Sequence, residues 1–172
     1  MSVAVRIFLV GFMGAGKSTV GRELARRLEV EFVDLDLEIE RRTGRSITGI
    51  FDQDGEAEFR RLEHEELAAL ERYRGVVVAT GGGCFAQQAN RDRIRELDGT
   101  SVWLDVPMTG ILERLSDASR RRRPLLGDLP RASELYEARR PLYALAKIHL
   151  PLTGREAASD VAQRVVDGLR DE

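Results

Sequence analysis

The stretch Gly11-Phe12-Met13-Gly14-Ala15-Gly16-Lys17-Ser18-Thr19 reads G-x-x-x-x-G-K-S, the pattern of a phosphate-binding loop. Its chemistry follows from its parts. The glycines let the backbone wrap an anion, so that amides of Gly14, Ala15, Gly16, Lys17, Ser18 and Thr19 can point inward at a helix N-terminus. Lys17 supplies an ammonium for β- and γ-phosphates, and the Ser18 hydroxyl a ligand for one Mg²⁺. A glycine-rich turn can match the bare pattern, so context decides. The apolar run from Val3 to Val10 precedes the loop as a buried strand, and Val20, Leu24 and Leu28 follow at helical spacing. The chain is read as a binder of a nucleoside triphosphate.

Five further groups could act on what that phosphate reaches. Asp34 and Asp36 lie two apart just past a short strand. In extended backbone both carboxylates face one way, so one can hold Mg²⁺ or its waters while the other takes a hydroxyl proton. A helix N-cap is the competing use of Asp34. In the helix that follows, Phe59, Leu62, Leu67 and Leu70 form a buried stripe, with Glu63 inside it and Arg60 at its border. A carboxylate on a buried face needs a partner, and Glu63 can fix the Arg60 fork to grip a substrate carboxylate. Gly81, Gly82 and Gly83 close an apolar run and let a small ligand approach bare backbone. Arg120 to Arg123 precede Pro124-Leu125-Leu126-Gly127 in a segment, 116–130, expected to be a mobile lid with an arginine turned to the γ-phosphate. Arg139 offers another guanidinium near a helix end. Cys84 and His64 are read as packing or surface residues. Asp105, at the end of Val102-Trp103-Leu104, imitates a Walker-B aspartate and is read as a decoy.

The elements that must carry these groups alternate. Strands are expected at 3–10, 31–34, 75–79, 100–106 and 147–150. Helices are expected at 20–28, 37–42, a turn from Ser46 to Phe51, 56–72, 87–97, 107–115, one capped by Ser133 and ended or kinked by Pro141, and a last one with Val161, Val165, Val166 and Leu169 on its buried face. Alternation implies an α/β fold, a parallel sheet with helices on both faces and the ligand at the strands' carboxyl ends. With 172 residues the chain is expected to be one domain, its acceptor region about 34–63. A net charge of −2 argues against general affinity for nucleic acid or membrane. A single cysteine and no long apolar segment suit a monomeric cytoplasmic protein.

Taken in order, Gly11 to Thr19, Asp34-Leu35-Asp36, Arg45-Ser46-Ile47 with Ile50-Phe51, Phe59 to Glu63, Gly81 to Gly83, Arg123 to Leu126 and Arg139 with Pro141-Leu142-Tyr143 resemble the shikimate kinase family over nearly the full length. The resemblance implies the nucleoside-monophosphate-kinase-like P-loop fold, a three-layer α/β/α arrangement with a five-stranded parallel sheet in order 2-3-1-4-5. It implies ATP- and Mg²⁺-dependent phosphorylation of the 3-hydroxyl of shikimate in chorismate and aromatic amino-acid biosynthesis. By position, Arg60 and Arg139 would hold the shikimate carboxylate, and Asp36 would bind the ring hydroxyls and take the 3-hydroxyl proton. Gly81 to Gly83 would line the ring, and Phe51 and Phe59 would wall it. Asp34 would hold a Mg²⁺ water and Ser18 the ion itself, while Arg123 would be the lid arginine. Arg114 would stack near adenine beside a loop at Thr153-Gly154-Arg155. A gluconate or nucleoside-monophosphate kinase, or a nucleotide-binding module without turnover, remain the alternatives, although a GTPase-type N-K-x-D motif is absent.

Overall fold

The computed structural model describes residues 5–171. Among them five strands run parallel: β1 (Arg6–Val10), β2 (Glu31–Asp34), β3 (Val76–Ala79), β4 (Thr100–Asp105) and β5 (Ile148–Pro151). Their order is β2-β3-β1-β4-β5, as the family resemblance implies. β1 is central because nothing polar interrupts it. Ile7, Phe8, Leu9 and Val10 are fully buried, as a strand covered on both faces requires. Register puts Phe8 opposite Val78 on one side and Ser101 on the other. The strand at Val76 therefore adjoins the loop strand, as expected. The first two residues of the expected opening strand, Val3 and Ala4, lie outside the described residues.

Among the described residues there are eight α-helices: α1 (Lys17–Leu28), α2 (Leu35–Thr43), α3 (Ile47–Ala69), α4 (Gln88–Glu96), α5 (Met108–Arg114), α6 (Asp117–Arg121), α7 (Leu129–Tyr143) and α8 (Ala158–Arg170). α8 packs along α1 and buries Val161, Ala162 and Val165, while Val166 and Leu169, expected on the same face, are only half-buried. A β-carbon on Gly21 of α1 would stand 2.5 Å from the Phe32 ring, so α1 lies close upon β2. This fixes the loop at the head of α1 against the strand that ends in Asp34.

Four local readings change. The helix after the phosphate loop begins at Lys17 rather than Val20, so the loop lysine itself opens it. The next begins at Leu35, which places Asp36 in a first helical turn rather than in extended backbone. Segment 116–130 is not bare loop: it contains α6, capped by Ser116, and a 3₁₀ turn from Pro124 to Gly127. α7 starts at Leu129, capped by the Asp128 side chain accepting from Arg131 N, so Ser133 lies within the helix. Pro141 is also inside α7, which continues to Tyr143.

α2 and α3 carry a core of their own. Ile39, Ile50, Phe59 and Leu62 are buried together, with Ile47 and Phe51 packed against them, separate from the main core around the sheet. α3 is two helical pieces joined at Gly55, whose φ of 84° and ψ of 175° break the helix between the turn expected to end at Phe51 and the helix expected from residue 56. The predicted stripe of Phe59, Leu62, Leu67 and Leu70 is buried along its length. Phe59 and Leu62 serve the small core, whereas Leu67 and Leu70 reach the large one. Arg60 and Glu63 are thus held by a helix anchored at both ends.

Candidate active site

The carboxyl ends of β1, β2 and β3 open into a cavity of about 520 Å³. Its walls include all of Gly14 to Thr19, together with Asp34, Asp36, Gly81, Gly82, Arg114 and Arg123. Gly16 is the N-cap of α1 with φ of 94°, a left-handed conformation that suits glycine. No side chain caps α1 and no acid lies in its first turn, so a negatively charged ligand can serve the amides there. Lys17 Nζ donates to Gly11 O at 2.7 Å and Phe12 O at 2.9 Å. Burial lowers its pKa to about 8. Asp36 and Asp34 pull it back up, and the charges of Arg139 and Arg123 push it down. These four side chains therefore share one field with the lysine.

Ser18 Oγ donates to Asp34 Oδ2 at 2.6 Å, while Asp34 Oδ1 accepts from Leu37 N at 3.3 Å. Asp34 is thus both a helix cap and the partner of the loop serine. The helix-cap use falls on Oδ1, and Oδ2 is turned to the loop serine.

Asp36 stands beside Gly81: a β-carbon there would lie 2.9 Å from Asp36 Oδ1 and 3.3 Å from Glu63 Oε2. Both oxygens are buried and have no hydrogen-bond partner within the protein. Two acceptors directed at one bare glycine suit a ligand that brings hydroxyl donors. Burial raises the Asp36 pKa to about 6. Asp34 adds to the rise, Lys17 opposes it, Glu40 adds again and Arg60 opposes. Burial also raises Glu63, against the pull of Arg60.

Glu63 is fully buried, and its Oε1 takes Arg60 Nη1 at 2.8 Å. The Arg60 fork lies so close to Gly83 that a β-carbon would collide with it, and a β-carbon on Gly82 would stand 3.4 Å from Arg139 Nη1. Arg60 comes from α3 and Arg139 from α7, yet both guanidinium groups meet the same glycine turn. Arg60, Gly83 and Arg139 do not themselves line the cavity, whose walls at this end are Gly81 and Gly82. Phe51 and Phe59 do not line it either; their ring centroids lie 4.6 Å apart in the α2/α3 core.

At the opposite end, Arg114 donates to Gly14 O and lies across the loop at Gly16. Arg123, in segment 116–130, donates to Ser119 O at 3.1 Å and faces the same cavity. Sequence reasoning missed much of this end. Val106, Leu115, Leu152 and Val161 supply apolar wall, with Gly154 and Glu156 beside them. Burial works against the Glu156 charge, but amides of Thr153 and Gly154 donate to it and hold its pKa at about 2. Arg155 turns away and pairs with Glu113 at 3.0 Å. Asp105 is engaged elsewhere, with His149 Nε2 at 2.8 Å and Arg140 Nη2 at 3.3 Å, in keeping with its reading as a decoy.

A family model described as shikimate kinase matches residues 13–170. The chain belongs to the shikimate kinase family. Membership fixes its activity as that of a shikimate kinase, a phosphotransferase with an alcohol group as acceptor. Among curated shikimate kinases, that of Halorhodospira halophila is 48% identical over 171 residues, covering 97% of this chain and 94% of the relative. The Sulfurihydrogenibium shikimate kinase is 39% identical, covering 95% and 97%. The structure of shikimate kinase from Acinetobacter baumannii in complex with shikimate aligns with a TM-score of 0.89 at 38% identity, covering 99% of this chain and 95% of that one. A Sinorhizobium meliloti gluconokinase aligns at TM-score 0.56 with 16% identity, which shows a shared fold alone.

Proposed function

We propose that the chain transfers the γ-phosphoryl group of ATP to the 3-hydroxyl of shikimate, with Mg²⁺ as the metal. The observation that carries this reading is the pair of unpartnered buried oxygens, Asp36 Oδ1 and Glu63 Oε2, beside Gly81 and within reach of two guanidinium groups. A ring acid with three hydroxyls and one carboxylate answers each of those groups. ATP lies with its phosphates on Gly14 to Thr19 and its base between Arg114 and the apolar wall at Leu152.

The residues present fit a magnesium ion. Ser18 Oγ and Asp34 Oδ2 are adjacent hard oxygen donors beside the loop. Among the described residues no cluster of three or more His, Cys, Asp or Glu side chains could cage a metal. Mg²⁺ characteristically takes one or two protein oxygens and fills the rest with water and phosphate. When bound it neutralises charge on the β- and γ-phosphates.

The remaining chemistry belongs to side chains. Arg60 and Arg139 grip the shikimate carboxylate and so set the ring's orientation. Asp36 accepts from the ring hydroxyls and takes the 3-hydroxyl proton, a task suited to a carboxylate whose pKa is raised to about 6. Lys17, Arg123 and the loop amides stabilise charge that develops on the transferred group. Segment 116–130 acts as the lid that brings Arg123 in and excludes water. The protein acts as a cytoplasmic monomer without nucleic-acid partners. No helix among the described residues is long and apolar enough to cross a membrane.

ADP release from MgATP, measured with shikimate, gluconate and nucleoside monophosphates in turn, tests the proposal. Release is expected with shikimate alone. Equal release with gluconate would transfer the site to another acceptor, and ATP binding without release would make the chain a regulatory module.

A further inference from the structure

Asn90, on α4, is buried and outside every role assigned above. Its amide nitrogen donates in two directions: to Cys84 O at 3.1 Å and to Glu63 Oε1 at 3.3 Å. The Cys84 carbonyl can only accept, so the amide must present nitrogen, not oxygen, to this side. Its oxygen then faces His64, at 2.8 Å from Nδ1. An amide oxygen cannot donate, so His64 carries its proton on Nδ1 and holds the amide in that orientation.

The two acceptors on Asn90 belong to the two walls of the acceptor site. Cys84 ends the glycine turn, its N–H closing onto Gly81 O at 3.1 Å. Glu63 is the carboxylate that holds Arg60. Arg60 Nη1 and Asn90 Nδ2 both engage Oε1, which fixes the plane of the carboxylate and leaves Oε2 turned to Gly81 beside Asp36 Oδ1. A buried amide at this junction ties α3 to the glycine turn through one rigid plane.

We propose that Asn90 is a positioning residue for acceptor binding: held by His64, it fixes the Glu63 carboxylate relative to the turn at Cys84 and thereby aims Arg60. The proposal rests on the reading of Arg60 as a shikimate-carboxylate ligand. Asn90 lies outside the phosphate loop and acts on the acceptor end only, chiefly through the Glu63 carboxylate that holds Arg60.

Initial-rate kinetics of Asn90→Ala, Arg60→Ala and the double variant, with both substrates varied, test it. Removing a hydrogen bond to a charged group that orients a ligand-binding side chain should raise the shikimate KM about 10-fold. The ATP KM should stay within about twofold, because the residue is remote from the phosphate loop. In the Arg60→Ala background, Asn90→Ala should raise the shikimate KM much less than it does in the parent. Equal loss for both substrates, an unchanged shikimate KM, or additive effects in the double variant would each overturn the proposal. If Arg60→Ala itself leaves the shikimate KM unchanged, the reading of the site fails first; if Arg60→Ala raises it and Asn90→Ala does not, this inference alone fails. His64→Ala reads the same linkage from the exposed side of α3 without emptying a buried position. It should raise the shikimate KM about threefold, as loss of one neutral hydrogen bond predicts. Where Asn90→Ala does not fold, an unchanged shikimate KM in His64→Ala overturns the proposal.

Discussion

Asp36→Asn should stabilise the unliganded protein while it disables the enzyme. Folding raises the Asp36 carboxyl from 3.8 to about 6, chiefly by burial and then by the charge of Asp34. The native state therefore holds a proton that the unfolded chain releases. A group shifted this way favours folding fully below its unfolded pKa, and that contribution is lost as pH rises through its folded pKa. At pH 7 the ionised carboxylate costs about 3 kcal/mol relative to a neutral group in the same place. The attraction of Lys17 is already contained in that figure, and burial of the substituted amide without an assured partner offsets part of it. A net gain of about 1–2 kcal/mol at pH 7 is expected for the isosteric amide. At pH 5, where native Asp36 is mostly protonated, the advantage should shrink to about half. Urea unfolding of both proteins without substrates, at the two pH values, measures it. Turnover should move the other way, falling by about 10²–10⁴ if Asp36 takes the hydroxyl proton. A variant no more stable than the parent at pH 7, or one whose advantage is equal at both pH values, would refute the electrostatic reasoning. Near-normal turnover would remove Asp36 as the base.

Arg123→Ala should lower kcat by about 10³ with little change in ATP affinity, since an arginine on the γ-phosphate acts mainly on the transferring group. Single-turnover rates and calorimetric ATP binding separate the two, and a loss confined to ATP affinity would contradict a transition-state role. Gly83→Ala puts a methyl into the Arg60 fork. It should raise the shikimate KM about 10-fold, as overpacking of about 1–2 kcal/mol predicts, and leave the ATP KM unchanged; unchanged kinetics would show that the fork stands elsewhere when substrate is bound.

The nucleotide end was legible where it depends on local sequence. A phosphate loop is contiguous, and its strand, glycines, lysine and serine all fall within residues 6–19, so spacing alone places them. At the end proposed for the base, Arg114 and Gly154 were legible but the apolar wall was not. Leu115 follows α5, Leu152 follows β5 and Val161 lies on α8. Each is an ordinary apolar residue with no spacing that joins them, and only the crossover connections bring them to one wall. Helix starts slipped for a related reason. Asp128 and Ser133 are both acceptable caps, and local propensity does not choose between them. The choice falls to Asp128, whose side chain takes the Arg131 amide while Ala132 and Tyr136 are buried in the main core.

The acceptor end shows how far residue types carry and where they stop. Glu63 was recognised as an acid on a buried face that needs a partner, and Arg60 is that partner. A carboxylate, however, has two oxygens. Helical geometry accounts for only one of them, because an i,i+3 pair engages Oε1 and is silent on Oε2. The second oxygen is left unpaired by α4, which brings Asn90 to the already occupied Oε1, and by β3, whose glycine turn brings no donor side chain to Oε2. Asp36 is isolated in the same manner, by α2 turning its Oδ1 to the same glycine. The acceptor site proposed for hydroxyls is therefore made by what three elements withhold. A sequence displays the groups that are present, whereas a missing donor can be seen only once the elements are packed.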